Sequence, residues 1–247
     1  MIRKALCNDL TEIKDILCEA FDMNTVDCNN MLDMINPLDN TFVYVLGGEV
    51  VSLASAIEFC VNIKKGRYIY AVATKKSQRK RGFAGELLRY ITDYYRELDV
   101  IMLRPANENL FDYYKNLGFT LPINADAVEY SKREVTAEII ELGFEEYFSL
   151  RDKYNDFSFP VDVRKYYISA YKYKAVATDD AIALYRKEND VCFVDEIYGS
   201  GADDLVYAVI SAEKAEKAMV IKPGNCAFAL AHFYNEVFNI DFRIPME

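Results

Sequence analysis

The twelve residues from Thr74 to Gly85 hold the densest chemistry in this chain. Five of the seven residues from Lys75 to Arg81 are basic, in a sequence whose formal net charge is −10. They follow an apolar run, Tyr68 to Ala73, that reads as a strand. They precede Glu86-Leu87-Leu88-Arg89-Tyr90-Ile91-Thr92, which reads as a helix. Gly82, Ala84 and Gly85 stand between the two. A strand that turns through cationic and small residues into a helix is shaped to hold phosphate. The free N–H groups of the first helical turn point at the anion, and residues without bulk let it approach. The plainer reading of a basic run is a solvated face. Here charge, glycine placement and strand-to-helix context coincide. No Gly-Lys-Ser/Thr follows, so the turn is not a Walker-type loop, and it lacks the three spaced glycines of a dinucleotide-binding turn.

A second constellation lies downstream. Asn107 is followed seven residues later by Tyr114, and then by Lys115-Asn116-Leu117-Gly118-Phe119. Together with Val72-Ala73-Thr74 and Arg79-x-x-Gly82-x-Ala84, it resembles the GNAT superfamily of acyl-CoA-dependent N-acyltransferases. That family carries Arg/Gln-x-x-Gly-x-Gly/Ala after its fourth strand and Asn…Tyr-x-x-x-Gly-Phe further on. The likeness spans roughly residues 1–130. One departure is Lys76, where many relatives carry proline, and it alters only the stiffness of the loop. The resemblance implies a GNAT fold (α/β with a mixed sheet) and acetyl-CoA as cofactor. It implies that Val72, Ala73 and Thr74 lend backbone groups to the pantetheine arm. Arg79, Lys80, Arg81, Gly82, Phe83, Ala84 and Gly85 would surround the pyrophosphate. Asn107 would touch the cofactor or the splayed strands, against the simpler role of capping a turn.

Moving an acyl group from a thioester to an amine needs a neutral amine, a polarised carbonyl and a proton for the departing thiolate. The resemblance makes Tyr114 the general acid, and its phenol is a donor whose ordinary pKa lies near that of a thiol. Tyr113 competes for the role. Helical neighbours point about 100° apart, so only one of the two faces the cofactor, and the spacing to Gly118 favours Tyr114. Weighing against it are the 19 tyrosines of the chain, most of which must serve core or rim. The base is less legible. Tyr68 and Tyr70 bring no carboxylate; Glu58, late on the preceding strand, is the candidate, acting through a water. A solvated strand-end charge is the alternative.

With 247 residues, 52% of them hydrophobic, the chain has material for one large domain or two small ones. No membrane span or signal-peptide core is evident. Six cysteines form no Cys-x-x-Cys pair, and His232 is the single histidine, so no metal is expected. Free thiols fit a cytoplasmic protein. The acidic balance argues against a nucleic-acid partner and favours small cationic ones such as amines.

The first half, residues 1–133, alternates strands and helices in the GNAT order, with a hairpin at Gly47-Gly48 and a helix stop at Gly118. The second half, residues 134–247, reads as a repeat: two helices, a hairpin at Asp179-Asp180, a strand, a helix and a buried strand. Val100-Ile101-Met102-Leu103-Arg104-Pro105-Ala106-Asn107 is echoed by Ala218-Met219-Val220-Ile221-Lys222-Pro223-Gly224-Asn225, and each is expected to enter a helix. In the repeat, Tyr198-Gly199-Ser200-Gly201-Ala202-Asp203-Asp204 replaces the basic turn. Its aspartates satisfy the helix dipole and repel pyrophosphate. This half resembles the degenerate second lobe of tandem GNAT proteins, expected to shape the acceptor cleft and not to bind CoA. The whole reads as an acetyl-CoA-dependent N-acetyltransferase acting on a small-molecule or peptide amine. Alternatives are another acyl donor, or a CoA-binding module without catalysis. Acceptor and oligomeric state are not legible.

Overall fold

The computed structural model describes residues 1–135 and 137–243. The chain opens with β1 (Ile2–Lys4), α1 (Leu10–Phe21), α2 (Thr25–Ile35) and α3 (Pro37–Asn40). Ile13, Ile16 and Leu17 bury one stripe of α1. Asp9 precedes that helix, but its carboxylate accepts from the Leu6 N–H and from Arg3, so it braces the preceding turn and leaves α1 without a side-chain cap. Asn24 does cap α2, accepting from Val26 and Asp27 N–H at 2.9 and 3.0 Å.

Three antiparallel strands follow: β2 (Thr41–Leu46), β3 (Glu49–Val61) and β4 (Lys64–Thr74). Gly47 and Gly48 turn the first hairpin with φ of 61° and 92°, values that glycine adopts freely. Then come α4 (Phe83–Tyr94), β5 (Val100–Leu103), α5 (Asn109–Lys115) and β6 (Leu121–Ser131). The second half begins with β7 (Ile140–Glu141), α6 (Phe144–Arg151), β8 (Phe157–Ser158) and α7 (Val161–Ala170). It ends with β9 (Lys174–Ala177), β10 (Ala181–Glu188), β11 (Val191–Gly199), α8 (Ala202–Ala212) and β12 (Lys217–Phe233).

All strands share one mixed sheet, ordered β1-β2-β3-β4-β5-β12-β11-β10-β9-β7, with β6 also on β12 and β8 on β3. Two expectations change here. The helix expected after Asn225 is absent, and β12 continues as a strand to Phe233. Its register to β6 slips between Pro223 and Ala229, where the Asp126 carboxylate accepts the N–H groups of Asn225 and Cys226 at 3.0 and 2.9 Å. The first part of β12 runs parallel to β11, and its last part runs antiparallel to β5, Leu230 facing Leu103. β6 follows it throughout, from Leu121 facing Ala231 to Ser131 facing Lys217.

The division expected at residues 133/134 is therefore not a division of the sheet. β5 is paired with β4 on one edge only, and residues 230–233 from the far end of the chain satisfy the other. Residues 127–131 of β6 in turn border the second half. The core is shared as well: Tyr68 of β4 packs on Phe159 and Phe242, with ring centroids 5.7 and 5.3 Å apart. On the opposite face, α4 buries Leu87, Leu88 and Ile91.

Candidate active site

β4 pairs with β5 only from Gly66 to Ile69, facing Val100 to Leu103, yet it runs on to Thr74. Its register to β3 slips over this stretch: Ser55 faces Tyr70 and Leu53 faces Ala73, so β4 carries one extra residue. Ala71 absorbs it with φ of 54°, a left-handed value that bends the strand. β5 ends at Leu103, so beyond Ile69 the edge of Tyr70–Thr74 on that side has no strand partner among the described residues. Ser52 fixes the far end. Its hydroxyl donates to the Ala73 carbonyl at 2.9 Å and meets Thr74 Oγ1 at 2.8 Å.

This open edge leads into the cationic turn. Lys75 N–H donates to Val51 O at 2.9 Å, Lys76 N–H to Glu19 Oε2 at 2.8 Å, and Arg79 Nε to Thr74 O at 3.1 Å. Lys80 and Gly82 are both left-handed, with φ of 63° and 88°. Gly82 precedes α4, which has no side-chain cap, so its first N–H groups face outward unmet. A Cβ on Gly82 would find nothing within 4 Å. Arg79, Lys80 and Arg81 are exposed, and the Lys80 ammonium has no partner among the described residues. Phe83 and Gly85 are buried, and Val72 is half-buried. Val72, Ala73 and Thr74 thus form the open-edged end of β4, and residues 79–85 form the turn and the first turn of α4 that follow it. Asn107 lies exposed beyond β5, its carbonyl accepting Leu110 N–H at 3.1 Å.

The adjacent tyrosines part company. Tyr114 is buried in the core of α4 and β5, 8% exposed, edge-on to Phe119 at 6.3 Å. Its hydroxyl has no hydrogen bond among the described residues. Burial, with a smaller effect of Tyr113, pushes its phenol up to about 12, so it stays a proton donor well above neutrality. Tyr113 is 39% exposed and lays its hydroxyl over the first turn of α4, 3.5 Å from where a Gly85 Cβ would stand. Arg89 Nη1 is 3.7 Å from the same point. Reading the sequence singled out neither Arg89, Ala71 nor Ser52. Only Arg89 left a trace there, four residues after Gly85 and hence on the same helical face.

Glu58 is not brought to this place. It faces Arg67 near the start of β4 and pairs with it at 3.3 Å, while that guanidinium covers the Tyr95 ring at 5.0 Å. From Arg67 to Thr74 is about 23 Å of strand. The other face of β4 shows Tyr70, buried and hydrogen-bonded to Tyr166 of α7. Tyr166 lines a groove of about 600 Å³ between α2 and α7, together with Asp27, Asn30, Asp33 and Asp162.

The second half repeats the layout with different contents. β11 leaves its parallel partner after Val194, and its register to β10 slips at Asp195. That residue is buried against Tyr173 and Arg186, and burial pushes its carboxyl up to about 6. Beside it, Glu196 takes hydrogen bonds from Arg151 at 2.8 Å and Tyr147 at 3.0 Å. The turn before α8 is filled by the chain itself. A Cβ on Gly201 would stand 2.1 Å from Asp180 Oδ1, and one on Gly199 would stand 2.1 Å from Asp180 O. Thr178 and Ser200 hydroxyls hold that carboxylate at 3.1 and 3.3 Å, while Asp203 is paired with Lys222 at 2.8 Å.

Among the described residues no three His, Cys, Asp or Glu side chains group as metal ligands, and no helix is long and apolar enough to cross a membrane. The family profile described as "Acetyltransferase (GNAT) domain" matches residues 1–121. No curated protein matches the chain in sequence. Among solved structures, a probable N-acyltransferase from Enterococcus faecalis V583 is similar at 12% identity, TM-score 0.76, over 95% of this chain and 72% of that one. Eis1 from Mycobacterium abscessus is similar at 10% identity, TM-score 0.69, over 95% and 74%. A putative acetyltransferase from Pyrococcus horikoshii is similar at 14% identity, TM-score 0.64, over 100% and 92%. These likenesses carry the fold across both halves. Residues 1–121, with their bulged fourth strand and cationic turn, carry a GNAT acetyltransferase domain.

Proposed function

We propose that the protein transfers an acetyl group from acetyl-CoA to the amine of a small molecule or peptide, by direct attack on the thioester. The observation that carries this reading is the unpaired edge of β4 beyond Ile69, which leads into an uncapped, cationic helix start. The exposed Arg79, Lys80 and Arg81 and the free N–H groups of α4 suit a diphosphate. The unpaired edge of Tyr70–Thr74 suits the amides of a pantetheine arm. When bound, acetyl-CoA supplies the activated acyl group. Tyr114 is the candidate donor to the departing thiolate; burial keeps its phenol protonated at neutral pH and also makes it a weaker acid than the thiol it would serve. Glu58 is held in an ion pair with Arg67, and the amine sheds its proton to water. The groove between α2 and α7, on the face opposite α4, offers Asp27, Asp33 and Asp162 to a cationic amine, beside Lys165 and Lys172. The second half, with its turn occupied by Asp180, acts here as a wall and binds no cofactor.

Acetyl-CoA should raise the melting temperature of the protein, by mass action on the native state. Free-thiol release with a panel of amines then separates an enzyme from a CoA-binding module, which would bind and release nothing. Tyr114→Phe should lower kcat about 10²-fold and leave acetyl-CoA affinity within a factor of two. Because burial holds the phenol near 12, wild-type turnover should show no acid-limb loss from pH 7 to 10. Full turnover by the phenylalanine variant removes Tyr114 from the mechanism.

A further inference from the structure

We propose that Arg89 and Tyr113 form a separate subsite beside the turn, which reads the 3′-phosphate and the adenine of the cofactor's nucleotide. The donor is then a free CoA thioester, and an acyl group on bare or protein-bound phosphopantetheine is a poor substitute. The inference rests on the acetyl-CoA reading above and adds which end of the cofactor is recognised and by what.

Arg89 lies one helical turn beyond Gly85, a rise of about 6 Å. Its guanidinium folds back to within 3.7 Å of the Gly85 Cβ position, on the side where Tyr113 lays its hydroxyl. An arginine on a helix surface ordinarily pairs with a carboxylate three or four residues away, and Arg89 has two, Glu86 and Asp93. Neither is used. Glu86 bonds the Tyr44 hydroxyl, Asp93 pairs with Arg96 at 3.4 Å, and Arg89 has no ion pair or hydrogen bond among the described residues. In a chain of net charge −10, an exposed guanidinium that bypasses two neighbouring acids and leans on a cationic helix start is placed for an anion.

The charges of the cofactor divide the same way. The diphosphate falls to the turn, with Arg79, Lys80 and Arg81. The 3′-phosphomonoester carries a further −1.5 to −2, roughly, and needs its own cation. A guanidinium meets a phosphate with two parallel N–H bonds. Tyr113 supplies the flat surface beside it. Its ring is 39% exposed and stands at 65° to the buried Tyr114, so one face stays open for a purine.

Calorimetry of the full-length protein with CoA and with 3′-dephospho-CoA tests the subsite. The wild type should bind CoA about 10- to 100-fold more tightly than 3′-dephospho-CoA. Arg89→Gln, at an exposed position, should erase that ratio by weakening CoA alone, and Arg89→Lys should restore part of it. Tyr113→Leu should weaken both ligands by one common factor. Equal affinity of the wild type for the two ligands, or equal weakening of both by Arg89→Gln, overturns the subsite and leaves the cofactor reading standing. Absence of heat with either ligand overturns both.

Discussion

The turn before α4 and the turn before α8 are built on the same plan and put to opposite use. Each follows a strand that leaves its parallel partner at a register slip, at Ala71 in one and Asp195 in the other. Each reaches its helix through small residues without a side-chain cap. In the first, a Cβ on Gly82 meets open space and the flanking side chains are cations. In the second, Asp180 sits where an anion would, close enough that a Cβ on Gly201 has no room. A helix start presents the same unmet N–H groups whatever its sequence, and a ligand, the protein or water must answer them. The first half leaves the place open, and the second sets the Asp180 carboxylate against the glycine that precedes the helix. What has diverged is the occupant, while the backbone that creates the demand is kept.

The comparison invites the idea that the halves are separable, and the strand pairing says otherwise. A chain ending at residue 133 would leave one edge of β5 unpaired and strip Phe159 and Phe242 from Tyr68. Such a fragment should fail to fold, giving no cooperative thermal transition by circular dichroism and no CoA binding. A fragment that melts cooperatively and binds CoA as the full chain does would show the halves to be independent.

Within the intact protein, the next largest effect concerns the cations. Replacing Arg79, Lys80 and Arg81 by glutamine should weaken CoA about 10³-fold or more, at roughly 1.5 kcal/mol or more per charge-assisted bond. The melting temperature without ligand should hold or rise, because like charges are removed from one exposed turn. Neutralising Lys222 and Arg133, the cations beside α8, should leave CoA binding unchanged, since Asp203 and Asp204 already engage them.

How far the sequence foretold this differs between local and long-range features. Gly47-Gly48, Gly118 and the run Val100–Leu103 were legible because each is settled by its own residues: positive φ at the glycines, burial on both faces of the strand. The cationic turn was legible for the same reason. The end of β12 was not. Pro223-Gly224-Asn225 punctuates the chain much as Pro105-Ala106-Asn107 does before α5. The path of the chain beyond Asn225 is decided instead by the open edge of β5, more than a hundred residues away in sequence. The bulge at Ala71 had no signature either, since alanine announces no left-handed φ and the slip depends on the partner strand. Asp180 read as an ordinary hairpin residue, because what it reaches comes from the far side of β10 and β11. Glu58 was read from its nearness in sequence to the right strand, and its ion pair with Arg67 follows from its position along that strand, which the sequence does not show.

The finest test sets the two glycines against each other. Gly82→Ala places a methyl where the first turn is open, at φ of 88°, so it should cost about 1 kcal/mol of stability through backbone strain. It should also cost CoA affinity about tenfold, because the methyl stands where the phosphate would. Gly201→Ala has no such strain, its φ being −89°. Its methyl must instead push the Asp180 carboxylate off the start of α8, a flexible group that can swing away, at a cost of about 0.5–1 kcal/mol in the helix-dipole interaction. CoA affinity should not move at all. Thermal melts and calorimetry on the pair would show a stability loss in both and an affinity loss only in the first. An affinity loss in Gly201→Ala would mean that the second turn takes part in cofactor binding after all, and that Asp180 guards a site in place of filling a vestige. A gain of CoA binding stoichiometry to two would say the same more directly. The acidic surroundings of α8 argue against either, because freeing its N–H groups leaves Asp203 and Asp204 in place to repel the diphosphate.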